Sequence, residues 1–194
     1  MIKDKITLEL KNRIKQEIDN TTKDGKEHGF LICSDKNEKL STTKSITGDG
    51  HLFFKPLKSQ CNFKIQGDFH THPHANNAKR FFKKRLGKEI PIEEVKEGLK
   101  DAAKKKNIPL TEPSYGDILG AMILNYNNEI LGTTCVGTDI EPEKVECWSI
   151  KDRIKKEDFD KAVGELDSPA VNSNPLKWVR SLFDKDVINL VENV

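Results

Sequence analysis

Leu10, Ile14 and Ile18 recur at four-residue spacing within the stretch Ile6 to Ile18, which predicts an amphipathic helix ending at a polar turn from Asn20 to Gly25. A short unbroken apolar run, HGFLICSD, comes next; with KLSTTKSIT and HLFFKP after it, the pattern predicts two or three antiparallel strands. FKIQGDFHTHP alternates and predicts another strand, stopped by Pro73. PSYGDILGAMILNYNNEILGTTCVG predicts a helix from Ser114 to Asn125, a turn at Asn127 and Asn128, and a strand through Val136. A further strand covers Lys144 to Ile150, and the chain turns helical again after Lys151 with a polar break at SPAVNSNP. The last segment offers Asn174 as an N-cap and Pro175 at the first helical position. The apolar residues Leu176, Val179, Leu182, Phe183, Val187, Leu190, Val191 and Val194 then predict a C-terminal helix with one apolar stripe.

These elements predict an α/β fold: one domain with antiparallel strands flanked by helices. A chain of 194 residues is long enough for one real core and cramped for two. Residues 1–150 form the expected body, and 151–194 a helical extension packed on it, with a homodimer contact through the apolar stripe as the alternative. Composition changes between His74 and Glu112, where basic residues outnumber acidic ones by five. There PIEEVKEGLKDAAKKK has proline first, acids early and lysines late, as a helix and its macrodipole prefer. Segment 74–112 therefore reads as a basic helical insertion.

The whole chain is 35% hydrophobic and 33% charged with a formal charge of +2, which is globular and names no partner. No apolar run approaches the roughly 20 residues of a membrane span, and the first residues lack a signal-peptide core, so a soluble, cytoplasmic protein is expected. Cys33, Cys61, Cys135 and Cys147 are widely spaced without a CxxC pair and are expected as reduced thiols in or near the core.

His70 and His72 stand at i and i+2 of a predicted strand, so both imidazoles leave one face while Thr71 points the other way. Zinc accepts imidazole nitrogen at about 2.0 Å and favours a tetrahedron, so a catalytic site needs a third protein ligand and one open position. By itself an HxH pair is more often a metal-free strand pair. His74 is left outside the ligand set because Pro73 interrupts the alternation, and His28 and His51 read as ordinary strand or surface histidines. Ser114 and Asp117 open an apolar helix; alone they read as a cap, with the hydroxyl on the amide three residues on and an acid in the first turn. Glu27, just before the apolar run, alone reads as a solvated charge at a strand edge.

In combination, Glu27 before an apolar strand, then Gly67-Asp68-Phe69-His70-Thr71-His72-Pro73, then Pro113-Ser114-Tyr115-Gly116-Asp117 entering a helix, resembles the JAMM (MPN+) metalloprotease family. That family's order is a glutamate, HSHP or HTHP, and SxxD, and the similarity spans roughly Ile6 to Gly137. The resemblance implies a single MPN-like domain, a mixed, mostly antiparallel, curved sheet flanked by helices, with one catalytic zinc ion held by His70, His72 and Asp117. It also implies that Glu27 carries the proton and that Ser114 donates to the tetrahedral oxyanion, a role worth about 3 kcal/mol in other hydrolases. Substrates implied are amide or isopeptide bonds after the tail of ubiquitin-like or sulfur-carrier-like proteins. The family leaves about ten residues between its second histidine and its aspartate, whereas here 44 intervene; surface loops tolerate such growth because closure entropy rises only logarithmically with length.

Two rival readings remain at this point. One is a catalytically silent MPN-type scaffold whose insertion covers the metal. The other is nucleic-acid binding through 79–106, where Lys79-Arg80-Phe81-Phe82-Lys83-Lys84-Arg85 mixes cations with aromatic rings. The simpler account of the insertion is a solvated lid with Phe81 and Phe82 packed down on the body.

Overall fold

The computed structural model describes residues 5–48, 61–62, 64–107, 109–127, 132–166 and 176–191. Thr7 caps the first helix, α1 (Leu8–Asp24), its hydroxyl accepting from Leu10 N, and Gly25 ends it in the left-handed region at φ 67°. The helix runs through the polar stretch expected as a turn at Asn20 to Gly25. That stretch keeps the helical period: Thr21 follows Ile14 and Ile18 on the buried face and meets a polar partner on the sheet, the Thr71 hydroxyl.

Strand β1 (Glu27–Ser34) is the buried apolar run, and β2 (Leu40–Thr42) and β3 (Ile46–Gly48) both pair with it antiparallel. HLFFKP lies outside the described residues. Strand β4 (Lys64–His72) follows, then α2 (His74–Leu86), α3 (Ile92–Lys106) and α4 (Tyr115–Tyr126). After these come β5 (Thr133–Thr138), β6 (Lys144–Ile150), α5 (Lys156–Leu166), α6 (Leu176–Arg180) and β7 (Phe183–Asn189). The seven strands form one mixed sheet in the order β2-β1-β4-β5-β6-β7, with β3 also on β1. Among the described strands only β4 and β5 run parallel to each other.

Helices cover both faces. On one, Leu10, Ile14 and Ile18 of α1 pack on Phe30, Phe69, Cys135 and Ile188. On the other, Ile118 and Met122 of α4 pack with Trp148, Ile150, Ala162 and Val179. A fully buried side chain of this kind contributes roughly 1.5–3 kcal/mol of hydrophobic stabilisation. The two insertion helices share a smaller cluster around Ala75, Val95 and Ile140.

Three expectations are corrected. The C-terminal segment is not one helix: it is helical only at Leu176–Arg180 and then becomes strand β7. Its apolar spacing suited a helix, but the open edge of β6 offers a full antiparallel register from Ile150↔Phe183 to Lys144↔Asn189, burying Phe183 and Ile188. The helical stripe proposed as a dimer contact is therefore absent. Second, the cysteines are paired, Cys33 with Cys61 and Cys135 with Cys147, and among the described residues none is free. The β5–β6 register sets Cys135 directly opposite Cys147, a proximity that sequence spacing does not reveal. Third, Phe82 packs into the insertion's cluster but Phe81 stays 57% exposed. Among the described residues, no helix is long and apolar enough to cross a membrane.

Candidate metal centre

The site grows from the end of β4. Alternation puts Asp68, His70 and His72 on the α4 face and Phe69 and Thr71 on the α1 face. The His70 and His72 rings lie 5.0 Å apart, centre to centre. Thr71 turns away and secures the back of the site: its hydroxyl accepts from His28 N at 2.9 Å, donates to His28 O at 3.1 Å and is hydrogen-bonded to Thr21. Thus a side chain stitches β4 to β1 where the paired register reaches its last step, Gly29↔His70.

The third candidate ligand arrives from α4. Ser114 is the N-cap, accepting from Asp117 N at 3.3 Å, while Asp117 Oδ2 accepts from Ser114 N at 2.6 Å. This capping box holds the aspartate so that Oδ1 lies 3.0 Å from His70 Nε2 and Oδ2 3.4 Å from His72 Nε2. One ligand atom from each of the three residues lies within 4.8 Å of the others, so this buried group could hold a metal ion. Capping need not exclude the oxyanion role that the resemblance implies for Ser114. In the cap its oxygen accepts, which leaves the hydroxyl proton to donate.

Two residues escaped the sequence reading. The Asp68 carboxylate receives the His70 Nδ1 hydrogen at 2.8 Å and a longer contact from the Thr134 hydroxyl at 3.4 Å. With Nδ1 so engaged, the ring aims Nε2 at Asp117; that nitrogen gives a proton to the carboxylate while the ring is charged and would offer its lone pair to a metal ion once the proton leaves, as in a ligating histidine with a carboxylate behind it. The signal was present, since Asp68 stands two residues before His70 in the same alternation. Asp139 is fully buried and accepts from Ala75 N and Asn76 N, each at 3.0 Å, fixing the start of α2 beside His72. No local pattern announces it.

Burial opposes charge on His70, but the Asp117 and Asp68 carboxylates outweigh it and hold the imidazole pKa well above 6.5. Burial likewise disfavours charge on Asp117, yet His70 and His72 prevail and hold its carboxyl far below the ordinary range. Asp68 goes the other way, raised by burial despite the hydrogen bond from His70. Two carboxylates around two imidazoles hold His70 charged here, and the same group could hold a metal ion in place of that proton.

Glu27 opens β1 and is 9% exposed. The register of β1 on β4, continued from Gly29↔His70, sets Glu27 level with His72 and on the same face, since directly opposed residues share a face. His74 starts α2 with its ring 5.3 Å from that of His72 and is not among the three residues whose ligand atoms converge. Burial lowers its pKa, with His72 adding to the effect. His28 faces α1, its Nε2 3.0 Å from Asp24 Oδ2, and His51 lies outside the described residues. From the far side the C-terminal segment braces α4 and its approach: the Tyr115 hydroxyl donates to Ala162 O, and Arg180 pairs with Glu112.

No family model, curated protein or solved structure matches this chain.

Proposed function

We propose that this protein is a zinc-dependent peptidase or isopeptidase of the JAMM type, acting on amide bonds after the tail of a ubiquitin-like or sulfur-carrier-like protein. The observation that carries the reading is the convergence of His70 Nε2, His72 Nε2 and Asp117 on one point, with Glu27 on the same face of the neighbouring strand. The donors fit zinc: two imidazole nitrogens and one carboxylate leave a tetrahedral ion one open position. Asp68 behind His70 is the second carboxylate that such a site ordinarily carries. When bound, zinc supplies Lewis acidity, polarising a carbonyl and bringing the pKa of a water to about 7.

The chain's own residues do the rest. Glu27 takes a proton from the attacking water and returns it to the departing amine, a general acid–base role. Ser114, held at the N-cap, donates its hydroxyl hydrogen to the oxygen that gains charge. The N-terminus of α4 adds a favourable field for that charge. Among the described residues the sheet edge nearest Glu27 is β3, whose Gly48 pairs with it, and an extended tail aligned there would gain backbone hydrogen bonds.

The test has two parts. Purified protein is assayed for bound metal, and wild type and Glu27→Gln are incubated with fusions carrying candidate ubiquitin-like tails. Near-stoichiometric zinc in both, with cleavage by wild type alone, is the expected result. Full zinc loading with no product from any fusion sinks the peptidase reading.

A further inference from the structure

Helix α2 starts two residues after His72 and is anchored there by Asp139. Its 13 residues include Lys79, Arg80, Lys83, Lys84 and Arg85 and no carboxylate. Some of this charge is engaged: Arg80 donates to Asp24 O at 3.2 Å, and Lys83 meets Glu89 at 3.3 Å. Among the described residues, no carboxylate pairs with Lys84 or Arg85. Cations in a last helical turn complement the macrodipole, which accounts for some of the charge. It does not account for Phe81 and Leu86, 57% and 59% exposed among those cations, while Phe82 one position away is packed into the insertion's cluster.

We propose that the outward face of α2 docks an acidic polypeptide segment of the substrate, whose carboxylates meet Lys84 and Arg85 around an apolar side chain seated on Phe81. The proposal rests on the peptidase reading and names the feature by which that site selects its substrate. At about 1.5 Å per residue the helix reaches about 18 Å from its start, a span that an extended chain covers in roughly five or six residues at 3.3 Å each. An acidic patch that close to the cut bond is held while the tail lies in the site. A polypeptide suits this surface better than a nucleic acid. Glu89 stands beside it on Lys83, and α3 exposes Glu93, Glu94 and Glu97, so the unpaired cations form a short patch that suits two or three separated carboxylates around an apolar side chain and breaks off under a continuous run of phosphates.

Binding is measured by fluorescence anisotropy, independently of catalysis, with full-length protein. The probes are a labelled peptide of Asp and Glu flanking one Phe, the same peptide with Lys in place of the acids, and oligo(dT). The acidic peptide is expected to bind at least tenfold tighter than the basic one, to weaken with salt, and to lose at least tenfold in K84E/R85E while zinc content is unchanged. Should the reversal disturb folding by circular dichroism, K84Q/R85Q is expected to lose severalfold. Equal binding of both peptides, no effect of either variant, or tighter binding of oligo(dT) overturns the proposal. A short neutral reporter separates the two readings. If wild type and K84E/R85E cut it equally and an acidic extension lowers KM for neither, docking fails alone. If nothing is cut but the acidic peptide binds through Lys84 and Arg85, the docking surface stands and the peptidase reading falls.

Discussion

Asp68 Oδ2 lies 2.8 Å from His70 Nδ1, across the ring from the Nε2 that meets Asp117 Oδ1 at 3.0 Å. The imidazole is thus held on both edges by carboxylates from different elements, one on its own strand and one on α4. Asp68 has no direct part in the ligand group, so its effect must run through the orientation and basicity of His70. Removing such a partner lowers metal affinity by about 10–100-fold in comparable sites. Asp68→Asn is expected to fold normally and to lose zinc to a competing chelator at a correspondingly lower chelator concentration. Unchanged affinity in that titration removes Asp68 from the site.

Asp117 has two roles that substitution can separate. Asp117→Asn keeps an oxygen for Ser114 N, 2.6 Å away, but loses the charge that a cation needs. Asp117→Ala loses both, including a capping contact worth about 1 kcal/mol. Both variants are expected to lose zinc, as is His70→Ala, and Asp117→Ala to melt below Asp117→Asn without metal. Wild type should gain about 2.7 kcal/mol of stability at zinc concentrations a hundredfold above Kd, and these variants none. Thermal melts with and without zinc read both effects. Wild-type stabilisation by zinc in Asp117→Asn shows that the metal sits elsewhere.

Metal binding here must displace protons. A ligating imidazole has to be neutral, and the carboxylates beside His70 hold its pKa well above 6.5. Below that pKa the ion competes with the proton on His70, so affinity falls as pH falls, by on the order of tenfold per pH unit for one proton. Zinc titrations from pH 7.5 down to pH 6 are expected to show this slope, with protons released into the buffer. An affinity flat across that range contradicts a ligand set containing His70.

The grouping of His70, His72 and Asp117 was legible because its signals are local. Two histidines at strand period and a Ser-x-x-Asp at a helix start each encode a side-chain direction, and the structure needed only to bring β4 and α4 together. Strands β1, β4 and β6 follow the expected boundaries closely for the same reason. The failures are cases where tertiary context decides. Val179, Phe183, Val187 and Leu190 satisfy a helical period, but β6 needed an edge partner, and the chain from Phe183 became a strand. Thr21 looked like part of a turn because it is polar, yet its buried partner Thr71 is 50 residues away. The disulfide between Cys135 and Cys147 depends on a register set by strand pairing, and Asp139 caps a helix that begins 65 positions earlier at His74.

The parallel contact between β4 and β5 places the strand that carries His70 and His72, and at Gly67 the two strands leave no room for a side chain. A Cβ at Gly67 would lie 2.2 Å from Thr133 O, a backbone atom that cannot rotate away. Gly67→Ala must therefore push the strands apart one residue before Asp68 and Thr134 meet. Overpacking of this kind costs about 3 kcal/mol, which for a chain of this size lowers Tm by roughly 6–12 °C. Because Asp68 moves with the strand, zinc affinity should fall in the same variant. Gly98, in the middle of α3, is the control: a Cβ there meets nothing within 4 Å. Alanine at that helix position should stabilise by about 0.5–1 kcal/mol and leave zinc binding unchanged. Melting and zinc titration of both variants test the placement. If Gly67→Ala melts with wild type, β4 and β5 are not as close as described, and the support for His70 from the β5 side must be redrawn.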